Sequence, residues 1–350
     1  MNKCFKIGNV EVSEDSKTFI IAEMSANHLQ DYDRAVEIIK KAAWAGADAI
    51  KLQTYTPDTI TLDCDNEYFQ IKQGTIWDGT TLHKLYQTAY TPWEWQPKLK
   101  EIAEKEGLVF FSSPFDFTSV DLLEEMNVPA YKIASFEIND IPFIEYIAAK
   151  GKPIIMSTGI ATMKDIQQAL NACRRMGNEN VALLKCTSSY PAPVEEANLK
   201  TIPNMKETFD VIAGLSDHTM GNAVSVGGVA LGAKIIEKHM TLRRSDGGAD
   251  SQFSMEPEEF KEMVDNIRIV EKAVGKVTYD LSQKQINSRE HSRSLFVVKD
   301  IKKGEVFTES NVKSIRPGFG LKTKYIKDIL GKSAREDIKK GTPMKWNLIE

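Results

Sequence analysis

Between Thr18 and about Gly275, short runs that are apolar throughout alternate with segments in which apolar residues recur every third or fourth position. Eight such runs can be read: Phe19-Ile20-Ile21-Ala22, Ala49-Ile50-Lys51-Leu52, Leu108-Val109-Phe110-Phe111, Ala130-Tyr131-Lys132-Ile133, Pro153-Ile154-Ile155-Met156, Val181-Ala182-Leu183-Leu184, Val211 to Leu215, and Lys234-Ile235-Ile236. A strand covered on both faces shows no apolar–polar alternation, so these runs predict a parallel sheet sandwiched by helices. The intervening segments supply the helices. Ala35, Ile38, Ile39 and Ala42 form a stripe at helical spacing. Thr91-Pro92-Trp93-Glu94 and Thr162-Met163-Lys164-Asp165 read as capping boxes, and Gly46, Gly107, Gly177 and Gly275 as left-handed terminators. Eight strand–helix units favour an α/β fold of the closed (β/α)8 type. No Gly-x-Gly-x-x-Gly follows the first run, so an open dinucleotide-binding sheet has no support.

Two stretches break the alternation. The connection from about Thr54 to Tyr90 is much longer than the others and carries Tyr55, Tyr68, Phe69, Trp77, Tyr86 and Tyr90, a composition suited to a lid, to the apolar face of a sugar, or equally to a surface excursion with its own small core. Near the C-terminus the apolar stripe lapses. The resulting division is a barrel domain over residues 1–280, a linker over 281–291, and a small β-rich domain over 292–350 with turn glycines at Gly304, Gly318, Gly331 and Gly341.

Bulk properties narrow the function without naming it. The 350 residues are 42% hydrophobic and 27% charged with a formal charge of −4, which leaves no electrostatic footprint for nucleic acid. No stretch approaches the roughly 20 apolar residues that span a bilayer, and Met1-Asn2-Lys3-Cys4-Phe5-Lys6 lacks a signal-peptide core, so no membrane partner and a cytoplasmic location are expected. Cys4, Cys64, Cys173 and Cys186 lack Cys-x-x-Cys spacing and read as reduced thiols, Cys186 as core packing.

In a (β/α)8 barrel, chemistry gathers at the carboxyl ends of the strands. The polar residues there are Glu23, Lys51, Gln53, Ser113, Lys132, Ser135, Glu137, Ser188, Tyr190, Ser216, His218 and His239, with Asp250 in the last loop. His218 and His239 each end a run one unit apart, a placement that suits a divalent cation left open to substrate. Lys51 and Lys132 sit inside apolar runs, where an unpaired ammonium is expensive; with the hydroxyls they make a site for a multiply charged anion such as a phosphorylated substrate. Plainer roles stand beside these. Either lysine can serve an internal salt bridge, Glu23 can pair with Lys51, and His28, which could be a third cation ligand, can instead cap the helix starting near Asp31 or order its loop. His83 and His291 read as satisfied core histidines.

The stretches Ile21-Ala22-Glu23-Met24-Ser25-Ala26-Asn27-His28, Lys51-Leu52-Gln53-Thr54, Ser113-Pro114-Phe115-Asp116, Tyr131-Lys132-Ile133-Ala134-Ser135, Gly214-Leu215-Ser216-Asp217-His218-Thr219 and Ile236-Glu237-Lys238-His239 resemble, in order, the motifs of the sialic acid synthase family. The tail, with Arg316-Pro317-Gly318-Phe319-Gly320, is similar to its antifreeze-like (SAF) domain. The resemblance implies a condensation of phosphoenolpyruvate with an open-chain amino sugar and water, giving a nine-carbon keto acid and phosphate by C–O cleavage. It assigns His218 and His239 to a divalent metal, manganese first and magnesium or cobalt as alternatives. Lys51, Ser113, Lys132, Ser135, Ser188 and Ser216 fall to phosphoenolpyruvate. Glu23, Gln53, Tyr190 and Asp250 fall to the sugar or to proton transfer, and Glu137 to the attacking water. It further implies a domain-swapped homodimer in which Arg316 completes the partner's site. Met24-Ser25-Ala26 in place of Ile-Gly-x, Ser188 in place of asparagine, and Gln53-Thr54-Tyr55-Thr56-Pro57-Asp58 are similar to the branch that makes pseudaminic acid from 2,4-diacetamido-2,4,6-trideoxyaltrose. Met24 and the aromatics of the long connection are the residues placed to meet that deoxy sugar. N-acetylneuraminate or legionaminate synthesis is the alternative within the same chemistry.

Two rival classes remain. A Schiff-base aldolase would use Lys132 or Lys185 and no metal. An ice-binding protein would need a flat, weakly charged tail, which Lys302, Lys303, Lys322, Lys324, Lys327, Lys332, Lys339 and Lys340 hardly provide.

Overall fold

The computed structural model describes residues 1–72 and 74–350, so position 73 of the long connection lies outside the described residues. The chain divides into two units, residues 1–275 and 276–350.

In the first unit a hairpin of β1 (Cys4–Ile7) and β2 (Val10–Ser13) precedes eight parallel strands. These are β3 (Phe19–Glu23), β4 (Ala49–Thr54), β5 (Val109–Pro114), β6 (Tyr131–Ile133), β7 (Ile154–Ser157), β8 (Val181–Cys186), β9 (Ile212–Asp217) and β10 (Ile235–His239). They pair in sequence order, and β10 closes on β3 with His239 opposite Glu23. The expected (β/α)8 barrel is therefore the fold. The hairpin is an addition to it, and Phe5, Ile7 and Val12 pack against the lower part of the barrel interior.

Side chains alternate across a strand, and that parity divides the barrel into two tiers. Phe19, Ile21, Ala49, Val109, Phe111, Ile155, Ala182, Leu184, Ile212 and Ile235 form one apolar cluster inside the barrel. Continuing the same parity toward the carboxyl ends gives Glu23, Lys51, Gln53, Ser113, Ser157, Cys186, Ser216, Glu237 and His239. The opposite parity, including Ile20, Ile50, Phe110, Tyr131, Met156, Leu183 and Ile236, packs with the helices in a larger cluster. Gly214 fits the crowded wall because a Cβ there would lie 2.9 Å from the Ile235 Cβ and 2.6 Å from Leu184.

The helical stripe of Ala35, Ile38, Ile39 and Ala42 lies buried on the helix Tyr32–Ala45, which Gly46 ends in the left-handed conformation. The Thr162–Asp165 capping box forms as expected. The box expected at Thr91 does not: a short 3-10 turn, Trp93–Trp95, precedes the helix Gln96–Lys105, and Thr91 Oγ1 meets His28 Nε2 instead, at 3.2 Å. His28 Nδ1 also accepts from Gln30 N–H, so this histidine orders its loop.

In the second unit, β11 (Ser294–Val297) pairs antiparallel with β12 (Val312–Ile315), and isolated bridges such as Ile301 to Ile338 and Ala334 to Ile349 extend the β character. Leu295, Val297, Phe307, Val312, Ile329 and Met344 form its core. Residues 281–291 are not featureless, since Ser282 and Gln285 cap a short exposed helix, Gln283–Ser288. His291 is exposed, contrary to its reading as a core histidine, whereas His83 is buried against Asp58.

Candidate active site

The upper tier of the barrel holds four charges in close array. Lys51 Nζ is ion-paired to Glu23, donates to Ser113 Oγ at 3.2 Å, and lies 3.9 Å from Glu237. Lys132 Nζ donates to Ser157 Oγ at 2.7 Å and to the Ile133 carbonyl, and also lies 3.9 Å from Glu237. Ser216 Oγ donates to Glu237 at 3.2 Å. Glu237 thus sits between both ammonium groups. Burial works against its ionisation, but Lys132 and Lys51 outweigh it and hold the carboxylate below its usual range. Glu23 is pushed up to about 7 by burial, with Lys51 opposing and Glu237 adding to the push. Lys51 is raised, burial being outweighed by Glu23 and Glu237. Lys132 is lowered by burial, which Glu237 only partly offsets. Both lysines therefore do form internal ion pairs, with Glu237 shared between them in one polar chamber of the upper tier.

The two histidine rings stand side by side, centroids 5.3 Å apart. His218 Nδ1 lies 3.0 Å from the Thr187 carbonyl, an acceptor only, so this nitrogen carries a proton and Nε2 is the one left clear of that bond; burial opposes protonation of the ring, but Cys186, the Thr187 carbonyl and Glu237 outweigh it and hold the ring above its usual value. His239 Nδ1 is buried with no hydrogen-bond partner among the described residues. Burial, then the neighbouring His218, hold the His239 ring well below the usual histidine value and hence neutral. Among the described residues no group of three His, Cys, Asp or Glu side chains is arranged to hold a metal ion.

A cavity of about 370 Å³ opens above. Its polar side holds Gln53, Ser135, Ser188, His239 and Asp250, and its other wall is the long connection, through Tyr55, Tyr68, Ile71, Trp77, Leu85 and Tyr86. Gln53 donates to Ser25 Oγ at 2.9 Å and to Glu23 at 3.3 Å, while Ser25 donates to Asp250, whose carboxyl is raised by burial. Tyr190 packs between His218, 4.5 Å away, and Trp77, at 5.5 Å. Trp77 Nε1 donates to the Ala249 carbonyl at 2.9 Å and ties the connection to the loop after β10. Ser135 Oγ accepts from Gly159 N–H at 3.1 Å; a Cβ on Gly159 would run into Ser188 Oγ and come within 2.7 Å of Ser135 Oγ. Glu137 Oε2 is buried with no hydrogen-bond partner among the described residues, and burial pushes this carboxyl up to about 7.

The barrel therefore gathers every expected site residue of the first unit around its mouth. Arg316 belongs to the second unit, where it is exposed and precedes a cis proline. One expectation fails: Met24 is fully buried in the core between sheet and helices and lines no part of the cavity. Cys186 is buried as expected, and in addition its Sγ lies 3.9 Å from both His218 Nδ1 and Ser188 Oγ; burial pushes the thiol up, but His218 outweighs it and brings it down to about 7. Glu237 was missed as a site residue, although its place two residues before His239 in one strand puts both on the same face.

This barrel, with paired imidazoles above a buried lysine–carboxylate floor, has counterparts among known proteins. The chain belongs to the NeuB family, whose profile matches residues 38–279, and an SAF domain follows at residues 292–350. It is 49% identical over 340 residues to the pseudaminic acid synthase of Campylobacter jejuni, covering 97% of this chain and 98% of that one. The N,N'-diacetyllegionaminic acid synthase of the same organism is 39% identical over 329 residues, covering 92% and 97%. Among solved structures, the N-acetylneuraminic acid synthetase of Leptospira borgpetersenii in complex with citrate superposes with a TM-score of 0.72 at 31% identity, covering 82% of this chain and 95% of that one. No helix among the described residues is long and apolar enough to cross a membrane.

Proposed function

We propose that this enzyme is a pseudaminic acid synthase, condensing phosphoenolpyruvate with 2,4-diacetamido-2,4,6-trideoxyaltrose and water to give pseudaminic acid and phosphate. The observation that carries the reading is one cavity bounded by the serine and histidine groups of the barrel mouth and by an aromatic wall. It is supported by 49% identity to a pseudaminic acid synthase along nearly the whole chain, against 39% to the legionaminic acid synthase of the same organism.

Lys51 and Lys132, with the hydroxyls of Ser113, Ser135, Ser188 and Ser216, bind the phosphate and carboxylate oxygens of phosphoenolpyruvate. Gln53, Tyr190 and Asp250 orient the open-chain sugar, with its methyl and acetamido groups against Ile71, Leu85 and Tyr86. C3 of phosphoenolpyruvate attacks the aldehyde carbon, and the carbonyl oxygen takes up a proton from the Glu23–Asp250 side of the cavity. Water adds at C2 of the cationic centre while Glu137 accepts its proton; the tetrahedral adduct then expels phosphate with C–O cleavage and leaves the keto group. His218 and His239 fit a divalent cation, because His218 keeps Nε2 clear of the Thr187 bond and would give that nitrogen to a cation on releasing its proton, while His239 is neutral with a nitrogen unpartnered among the described residues. Manganese, or magnesium or cobalt in its place, would polarise the sugar aldehyde there. The working form we propose is a cytoplasmic homodimer in which Arg316 of each subunit completes the other's sugar site.

The test is phosphate release from phosphoenolpyruvate with manganese, across N-acetylmannosamine and the altrose and glucose forms of the diacetamido-trideoxy sugar. Release with the altrose form alone is expected. Turnover confined to N-acetylmannosamine would overturn the substrate, and turnover with the glucose form alone would favour legionaminic acid synthesis. A borohydride-trapped pyruvate adduct on Lys132 or Lys185 would replace the whole scheme.

A further inference from the structure

The residues immediately before the two histidines, Asp217 and Lys238, are register partners on β9 and β10 and form an ion pair whose atoms are 2.8 Å apart. Both side chains are buried, on the opposite strand parity from Ser216, Glu237 and His239 and so away from the chamber. The pair is fully provided for. One Asp217 oxygen accepts from Thr219 N–H at 2.9 Å and from Thr219 Oγ1 at 2.7 Å. The other accepts from Ser225 Oγ, on the following helix, at 2.6 Å. Lys238 Nζ additionally donates to the Thr219 carbonyl at 2.6 Å. One ammonium group, fixed one residue before His239, therefore grips both neighbours of His218.

We propose that the Lys238–Asp217 pair is the positioning element that sets the spacing and ring orientation of His218 and His239. The inference rests on the reading of those imidazoles as a cation site. Replacing a buried ion pair by apolar groups is often neutral or favourable for stability, so stability alone does not account for one here. What a directional pair provides, and an apolar contact does not, is a fixed angle and register between the two strand ends. Groups that orient metal ligands from outside typically change metal affinity by about 10- to 100-fold when removed.

The test compares wild type with Asp217→Asn/Lys238→Met, which preserves volume and keeps an acceptor for Thr219. With five histidines in the chain, long-range proton–nitrogen spectra of the metal-free protein can report each ring's tautomer. Melting temperatures are expected to agree within a few degrees. The variant should lose the single Nδ1-protonated form of His218, bind manganese about 10- to 100-fold more weakly by calorimetry, and lose kcat with the KM for phosphoenolpyruvate within about 2-fold. A folded variant that keeps both the tautomer and the manganese affinity overturns the proposal. If wild type binds no manganese, the cation reading falls while the tautomer comparison still decides the positioning role. Should the double variant fail to fold, Lys238→Arg, which keeps the charge and displaces the donor, decides by the same spectra.

Discussion

A buried carboxyl with one oxygen unpartnered and a proton held up to about 7 is poised to exchange that proton near neutrality, which is the case for Glu137. If it accepts the proton of the attacking water, kcat should rise with pH through an apparent value near 7, and Glu137→Gln should abolish that limb and lower kcat about 100-fold. A variant that keeps the limb would show that another group titrates. Stability moves the other way. The unfolded chain releases this proton near 4.5 and the folded protein near 7, so ionising Glu137 destabilises the fold progressively as pH rises across that window. Glu137→Gln should therefore melt above wild type beyond pH 7, by up to about 3 kcal/mol, and match it near pH 4. At this scale the sequence was legible wherever a polar residue interrupted an apolar run, as at Lys51 and Lys132. It was harder to read where charge followed charge: Glu237 passed as part of a polar strand end, although its spacing of two from His239 sets it on the same face.

The long connection is the element that distinguishes this barrel mouth, and its Trp77 links it to the loop carrying Asp250. Trp77→Phe keeps an aromatic ring against Tyr190 and removes the indole donor. One neutral hydrogen bond is worth about 1 kcal/mol, so steady-state kinetics should show the sugar KM up several-fold to about 10-fold and the phosphoenolpyruvate KM unchanged. Equal changes in both constants would assign the connection a general structural role. The barrel strands were readable from apolar runs because both their faces are covered. The Thr91 box was misread because the pattern of residue types fits a cap equally well whether or not the helix begins there; tertiary structure gave that threonine to His28 and began the helix at Gln96. Met24 was misplaced because nearness to Glu23 in sequence was read as nearness to the cavity, whereas side chains alternate across a strand and the neighbour of an inward Glu23 turns to the helix side.

Across the molecule, the proposed division of labour separates the barrel's chemistry from a single arginine on the SAF unit. Mixing Arg316→Ala subunits with His239→Ala subunits tests it, since exchange would create heterodimers with one site carrying both lesions and one carrying neither. Recovery of up to about a quarter of wild-type activity is expected from random pairing, which makes half the dimers mixed with one intact site each. No recovery in mixtures shown to contain heterodimers would place Arg316 in its own subunit's site or in none. The order of strands and their closure were legible in the sequence, because eight strand–helix units predict a closed barrel in which the last strand meets the first; the N-terminal hairpin was not, because it lies outside that repeat.

That closing pair has a consequence for biosynthesis. Glu23 meets Lys51 on the next strand, so the first half of the chamber can balance its charges as soon as two neighbouring strands have left the ribosome. Lys132 waits for Glu237, and the imidazole pair waits for His239, both on the strand translated last within the barrel. A polypeptide released by premature termination before that point would carry an uncompensated ammonium in an apolar wall, together with an open sheet edge. Such fragments would be recognised by proteases and chaperones as unfinished, and none could consume phosphoenolpyruvate in the meantime.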